Sequence, residues 1–140
     1  MGKALRHQGL ERLGSTLLRS LLLTQMVVAP IKLAVRRRRP DGSSRLSFPS
    51  GHTANSFAIA QVLERTYGHR IGIPLYFLSA FVAAGRIEDD LHYLSDVVMG
   101  AFLGAIVGNS VNLEPNARID VETRLTPDGV LLVLCVGVDI

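Results

Sequence analysis

Three groups of residues between Lys32 and Asp96 constrain this chain more than anything else in it. They are Lys32, six residues, then Arg39-Pro40; the tetrad Pro49-Ser50-Gly51-His52; and Arg86, five residues, His92, three residues, Asp96. Each group suits an oxyanion such as phosphate. A reacting phosphoryl group spreads charge over several oxygens, so catalysing its transfer is largely positioning plus electrostatic stabilisation. The planar forks of Arg39 and Arg86 can each hold two oxygens, and Lys32 adds a point charge. Pro40 biases Arg39 away from helix, so Arg39 is expected where a helix has ended. The tetrad precedes a helical-looking run, Thr53 to Leu63. A helix start there offers free N–H groups and a positive dipole end, and Gly51 lets backbone approach an anion. Ser50 has two readings, a helix cap or a donor to a phosphate oxygen.

The third group adds a nucleophile. His92 and Asp96 are four residues apart, one face of a helix if both lie in one. A carboxylate on one imidazole nitrogen fixes the tautomer and makes the other nitrogen a better nucleophile. His52 is then available to protonate a leaving oxygen. The structural alternatives are plain: His52 as a capping or core histidine, Asp96 as a helix-dipole partner, and Glu88, Asp89 and Asp90 as a solvated loop.

In order and spacing, these groups resemble the signature of the type-2 phosphatidic acid phosphatase superfamily, which also contains class A acid phosphatases and vanadium haloperoxidases. Its pattern is K-x6-RP, PSGH and SR-x5-H-x3-D. Lys32, Arg39 and Pro40 match the first motif, Pro49 to His52 the second, and Arg86, His92 and Asp96 the third. Gly85 stands where the family usually has Ser, which removes one donor. The resemblance implies a phosphohistidine at His92 assisted by Asp96, with His52 as general acid. It implies Lys32, Arg39, Ser50, Gly51 and Arg86 around the phosphate, and no metal or other cofactor.

Composition narrows the setting. The 140 residues carry a formal net charge of +3 and are 48% hydrophobic. Arg36, Arg37, Arg38 and Arg39 with Arg45 could attract a polyanion. They flank apolar segments, however, and lack the interleaved aromatics of single-strand nucleic-acid binders. Arg36, Arg37 and Arg38 read instead as a solvated or juxtamembrane run. The single Cys135 makes no internal disulfide. The histidines, His7, His52, His69 and His92, fall in no metal-ligand cluster.

Leu13 to Ile31 is an apolar segment that leads into Lys32. A signal peptide is the competing reading, but no small-x-small cleavage site follows. A helix from His52 to Tyr67 should end at Gly68. Ile71 to Ala84 is apolar, Gly85 to Leu91 a charged loop, and Tyr93 to Leu113 a last helix. Gly100, Gly104 and Gly108 recur every four residues there, an interval that lets another helix pack closely in a membrane. A span needs roughly 20 apolar residues, and only Leu13–Ile31 and Val97–Leu113 come near. If helices alternate in direction, the loops after Lys32 and before His92 meet at one membrane face. A soluble bundle is the alternative.

After residue 113 the pattern changes. Ile119, Val121 and Leu125 alternate with Asp120, Glu122 and Arg124, then Thr126-Pro127-Asp128-Gly129 forms a turn signal before an apolar run. The expectation is an all-α membrane bundle of about four helices over 1–113, with a C-terminal β-hairpin over 114–140. Against the six helices usual in the family, the expectation is a chain short of two N-terminal helices, either a trimmed member or one whose helices pair with another subunit. The function expected is metal-independent hydrolysis of a phosphomonoester or pyrophosphate of a membrane lipid, in a bacterial inner membrane, with an oligomer or partner helices supplying further contacts. The alternatives are a non-catalytic lipid-binding or assembly module and a vanadate-dependent haloperoxidase.

Overall fold

The computed structural model describes residues 11–111 in full and the helical backbone back to Gly2. Among the described residues are four helices: α1 (Gly2–Val35), α2 (Gly51–Tyr67), α3 (His69–Glu88) and α4 (Leu94–Val111). No side chain past residue 111 is described, so the hairpin expected over 114–140 lies outside the fully described residues and is not supported here.

Side chains are distributed as a lipid environment demands. The buried apolar residues are small: Val28, Ala54, Ala58, Ala60, Val62, Val97 and Val107. Large apolar residues face outward, among them Leu18 and Met26 on α1, Phe77 and Phe81 on α3, and Phe102 on α4. Phe77 and Phe81 are 74% and 77% exposed. Water would penalise so continuous an apolar exterior, whereas hydrocarbon accepts it. Three stretches are long and apolar enough to cross a bilayer: Glu11–Val35, His69–Glu88 and Leu94–Val111.

The second of these corrects the sequence reading, which ended the apolar segment at Ala84. Arg86 and Glu88 are good helix formers and extend α3 by another turn. The helix stops where Asp90 enters the left-handed region at φ 53°, a conformation that Asp tolerates better than most residues. The expected charged loop thus shrinks, and Arg86 rides on a helical turn. α1 likewise runs past Pro30 and carries Lys32 in its final turn. It ends at Arg36, whose φ is 48° and whose N–H bonds to the Lys32 carbonyl. Arg39 lies beyond the helix, as Pro40 implied.

α2 is the central helix and packs on α1, α3 and α4. Its tightest partner is α4, through the four-residue glycine interval. A Cβ built on Gly100 would lie 2.5 Å from the Ser50 carbonyl oxygen, and one on Gly108 would lie 2.6 Å from that of Ala58. At Gly104 the obstacle is the Ala54 carbonyl. Ser50, Ala54 and Ala58 are themselves four apart, so small residues face small residues along the whole contact. In hydrocarbon, where apolar burial gives little drive, such close approach supplies the attraction.

The α1–α2 connection folds back on itself. Arg39 N–H bonds to the Ser44 carbonyl, Gly42 N–H to that of Arg39, and Ser47 N–H to that of Arg37, each at 3.0 Å. Gly42 sits at φ 75°, a left-handed conformation that favours glycine. Two further bonds tie this connection to the α3–α4 link and the first turn of α4: Asp41 N–H to the Asp90 carbonyl and Ser50 N–H to that of Asp96.

Gly104→Leu should therefore force α2 from α4 and lower thermal stability in detergent by about 3 kcal/mol, whereas Gly14→Ala, with nothing within 4 Å of the added carbon, should raise it slightly. Differential scanning fluorimetry of the two variants checks the opposite signs.

Candidate active site

The loop after α1, the first turn of α2 and the link between α3 and α4 converge at one end of the bundle. A cavity of about 230 Å³ opens there, lined by Gln25, Lys32, Arg39, Gly51, His52, Asn55 and His92. Residues from all three sequence groups thus share one space. Lys32 is held by donating from Nζ to the Leu46 carbonyl at 2.6 Å. The buried side-chain nitrogens and oxygens without a hydrogen-bond partner, among the described residues, are Ser20 Oγ, Arg39 Nε and His92 Nδ1. Two of these three belong to the cavity lining. Buried polar atoms are rarely left unpaired, and two together suit a site shaped for a polar ligand.

Ser50 occupies the capping role. Its Oγ accepts from Thr53 N–H and from Thr53 Oγ1, at 3.5 and 3.0 Å, and the residue is wholly buried at the head of α2. Arg86 acts in two ways. Its carbonyl accepts from Leu91 N–H and His92 N–H at 3.2 and 3.1 Å, which sets the turn that presents His92. Its guanidinium is near enough to His52 to disfavour that imidazole's charged form. At Gly85 an added Cβ would meet nothing within 4 Å, so the serine usual in the family would fit without displacing anything.

His92 and Asp96 are close but are not one helical pair, as the four-residue spacing allowed. α4 begins at Leu94, so His92 precedes it and Asp96 lies in its first turn. His92 Nδ1 is 3.7 Å from Asp96 Oδ2, adjacent without a full hydrogen bond. Asp96 is completely buried and saturated by other donors. Arg37 Nη1 bonds to Oδ1 at 2.8 Å, Tyr93 N–H to Oδ2 at 3.0 Å, and Ser47 Oγ makes a short bond to Oδ2. The Tyr93 bond is a reach-back from the first turn that also caps α4.

Arg37 is the residue that sequence reasoning missed, having been assigned to a solvated basic run. Its guanidinium also donates to Ser95 Oγ at 2.6 Å and lies 4.0 Å from the Tyr93 ring centroid. Only the half-buried Arg37 of that run turns inward, because the chain leaves helix at Arg36 and the helical period no longer applies. Ser47 was missed for lack of any motif. A buried carboxylate needs a cation and donors, and the basic run beside the first motif was the place to look.

The electrostatics of the two imidazoles follow from this geometry. Burial pushes His92 below its ordinary pKa, with Lys32 and Arg39 adding to the shift, while the Ser47 backbone and Asp96 oppose it. His52 is pushed down by desolvation, then by Arg86, Lys32 and Arg39. Both shifts favour neutral imidazoles beside a cluster of cations. Such a pair can supply a nucleophile at once, and an acid as soon as an anion offsets the cations.

Comparison with known proteins gives a consistent picture. The family described as the PAP2 superfamily matches residues 14–119. Lipid A 1-phosphatase of Porphyromonas gingivalis is 40% identical over 80 residues, covering 55% of this chain and 18% of that protein. Decaprenylphosphoryl-5-phosphoribose phosphatase of Mycobacterium tuberculosis is 40% identical over 91 residues, covering 59% of this chain and 50% of that one. The chain therefore spans half or less of these relatives' lengths. Among solved structures, Aquifex aeolicus LpxE superposes with a TM-score of 0.63 at 29% identity, over 69% of this chain and 64% of that one.

Arg37→Ala would leave the Asp96 carboxylate buried with its charge unpaired. The expected loss is about 3 kcal/mol of stability, and Arg37→Lys should recover only part of it because an ammonium lacks the planar guanidinium that lies over the Tyr93 ring. Thermal unfolding of both variants in detergent is the measurement.

Proposed function

The chain belongs to the PAP2 superfamily, and on that footing we propose that it is a metal-independent phosphatase acting on a membrane lipid phosphate or pyrophosphate. The observation that carries this reading is the meeting of Lys32, Arg39, His52 and His92 on one cavity. Three helices long and apolar enough to cross a membrane support this reading, since they would hold the cavity at the end of a multi-pass bundle, within reach of lipid head groups. The relatives named above are both lipid-linked phosphatases by name.

In the proposed mechanism, Lys32, Arg39 and Arg86 hold the phosphate oxygens, with the α2 N-terminus at Gly51 contributing its N–H groups and dipole. Ser50 supports the same oxygens indirectly, by fixing that helix end. His92 turns Nδ1 toward Asp96 and attacks phosphorus through Nε2. The P–O bond to the lipid breaks, and His52 gives its proton to the departing oxygen. Water then attacks the phosphohistidine, His52 takes the water's proton, and inorganic phosphate leaves. Asp96 stabilises the imidazolium character that develops on His92, and Arg37 and Ser47 keep the carboxylate in place.

The substrate also completes the acid. Desolvation, and then Arg86, Lys32 and Arg39, hold the His52 pKa below its ordinary value. A bound phosphate dianion offsets their charge and raises the His52 pKa, so the imidazole gains its proton when there is a bond to break.

We further propose a bacterial inner-membrane location, supported by the bacterial relatives, and additional helices from a partner or second copy against the apolar outer faces. The C-terminal hairpin remains part of the proposal on its alternating pattern and its Pro127-Asp128-Gly129 turn.

His92→Ala should abolish phosphate release from a panel of phosphatidic acid, phosphatidylglycerol phosphate and polyprenyl pyrophosphate. His52→Ala should lower it by about 10²–10⁴-fold, and chelators should leave it intact. A His92→Ala protein with normal turnover overturns the reading. The pH dependence follows from the directions above. Both free-site imidazoles titrate below their ordinary value, so kcat/KM should peak on the acid side of neutrality. His52 rises in the complex, so the alkaline limb of kcat should lie at higher pH than that of kcat/KM. Full pH–rate profiles on one lipid substrate check this.

A further inference from the structure

The phosphate-holding groups occupy only part of the cavity. Gln25 of α1 and Asn55 of α2 complete its lining. Gln25 lies seven residues before Lys32, about 10 Å along the helix, and Asn55 lies three after His52, about 4.5 Å along. Both are thus displaced from the cation cluster toward the middle of their helices. Gln25 Nε2 donates to Asn55 Oδ1 at 2.7 Å. That bond leaves Gln25 Oε1 and Asn55 Nδ2 over, one acceptor beside one donor. Exchanging O and N in both amides reverses the bond and preserves the same inventory. A Cβ at Gly51 would stand 3.7 Å from Gln25 Oε1 and 3.8 Å from its Nε2, so this amide lies beside the first residue of α2.

Gln25 belongs to a stretch long and apolar enough to cross a membrane. Polar side chains in such segments are unfavourable unless they face a partner or a polar cavity. An interhelical bond accounts for their pairing, but not for its position on the cavity wall.

We infer that the Gln25–Asn55 pair reads a free hydroxyl on the lipid carrier next to the phosphate ester. A hydroxyl gives one hydrogen bond and accepts another, which is the complement of the unused amide atoms. The preferred substrates are then phosphates of polyol or sugar head groups, above phosphates whose neighbouring oxygens are all acylated. This inference rests on the phosphatase reading, since it concerns the carrier of the same phosphate.

The test compares two lipids that differ by one hydroxyl, 1-acylglycerol 3-phosphate and its 2-deoxy analogue, with the full chain in vesicles. The wild-type protein should favour the hydroxylated lipid about tenfold in kcat/KM. Gln25→Leu and Asn55→Leu should each bring the ratio close to one. A wild-type ratio near one overturns the inference, and so does a ratio that both variants preserve, which would make the pair an interhelical tie alone. Should Gln25→Leu fail to accumulate in the membrane, Asn55→Ala carries the comparison by itself. Wild-type protein that releases phosphate from neither lipid, nor from any lipid of the panel above, overturns the phosphatase reading instead. The head-group inference is then decided by vesicle binding of the same two lipids, with the same preference expected and the same loss in the variants.

Discussion

A buried carboxylate at Asp96 organises the active end of this bundle. Removing that charge from water is affordable only if cations and donors surround it, and the surrounding groups come from different parts of the chain. Arg37 and Ser47 reach it from the loop after α1, and the Tyr93 N–H from the start of α4. The backbone of the same residue accepts from Ser50, at the head of α2. One residue thereby fixes the mutual position of the three segments that bear the motifs. His92 stands 3.7 Å away and inherits its place from this arrangement.

The second requirement is that the helices come close enough for their ends to meet. Side chains at Gly100, Gly104 and Gly108 would hold α4 off the α2 backbone. The glycine interval therefore serves the site at a distance: it sets the separation at which the Asp96 carbonyl can meet the Ser50 N–H. Packing in the membrane and geometry at its surface are in this sense a single constraint. The large apolar residues turned outward on α1, α3 and α4 belong to the same scheme, since the interior has room only for small ones.

Much of this was legible in the sequence because it depends on local chemistry. The glycine period showed a close helix contact, though not that α2 would be the partner. Gly68 marked the end of α2, and Pro40 placed Arg39 outside a helix. The convergence of Lys32, Arg39, His52 and His92 followed from alternating helices. What escaped was set by tertiary context. Nothing in the run Arg36 to Arg38 distinguishes Arg37, because its role is defined by a carboxylate 59 positions away. Ser47 has no motif, and acquires its partner only when the loop closes. The end of α3 was misplaced because charge was taken for a loop signal, although Arg86 and Glu88 favour helix. The left-handed turn at Asp90 ends it.

The crowding of positive charge around His52 has a consequence of its own. Lys32, Arg39 and Arg86 are like charges gathered about one imidazole, and the bundle holds them there against their mutual repulsion. Any tetrahedral oxyanion relieves this tension, whether or not a lipid is attached to it. An ion liberated by the proposed hydrolysis would keep an affinity for that place, and its escape into bulk water would be a natural point at which turnover is throttled.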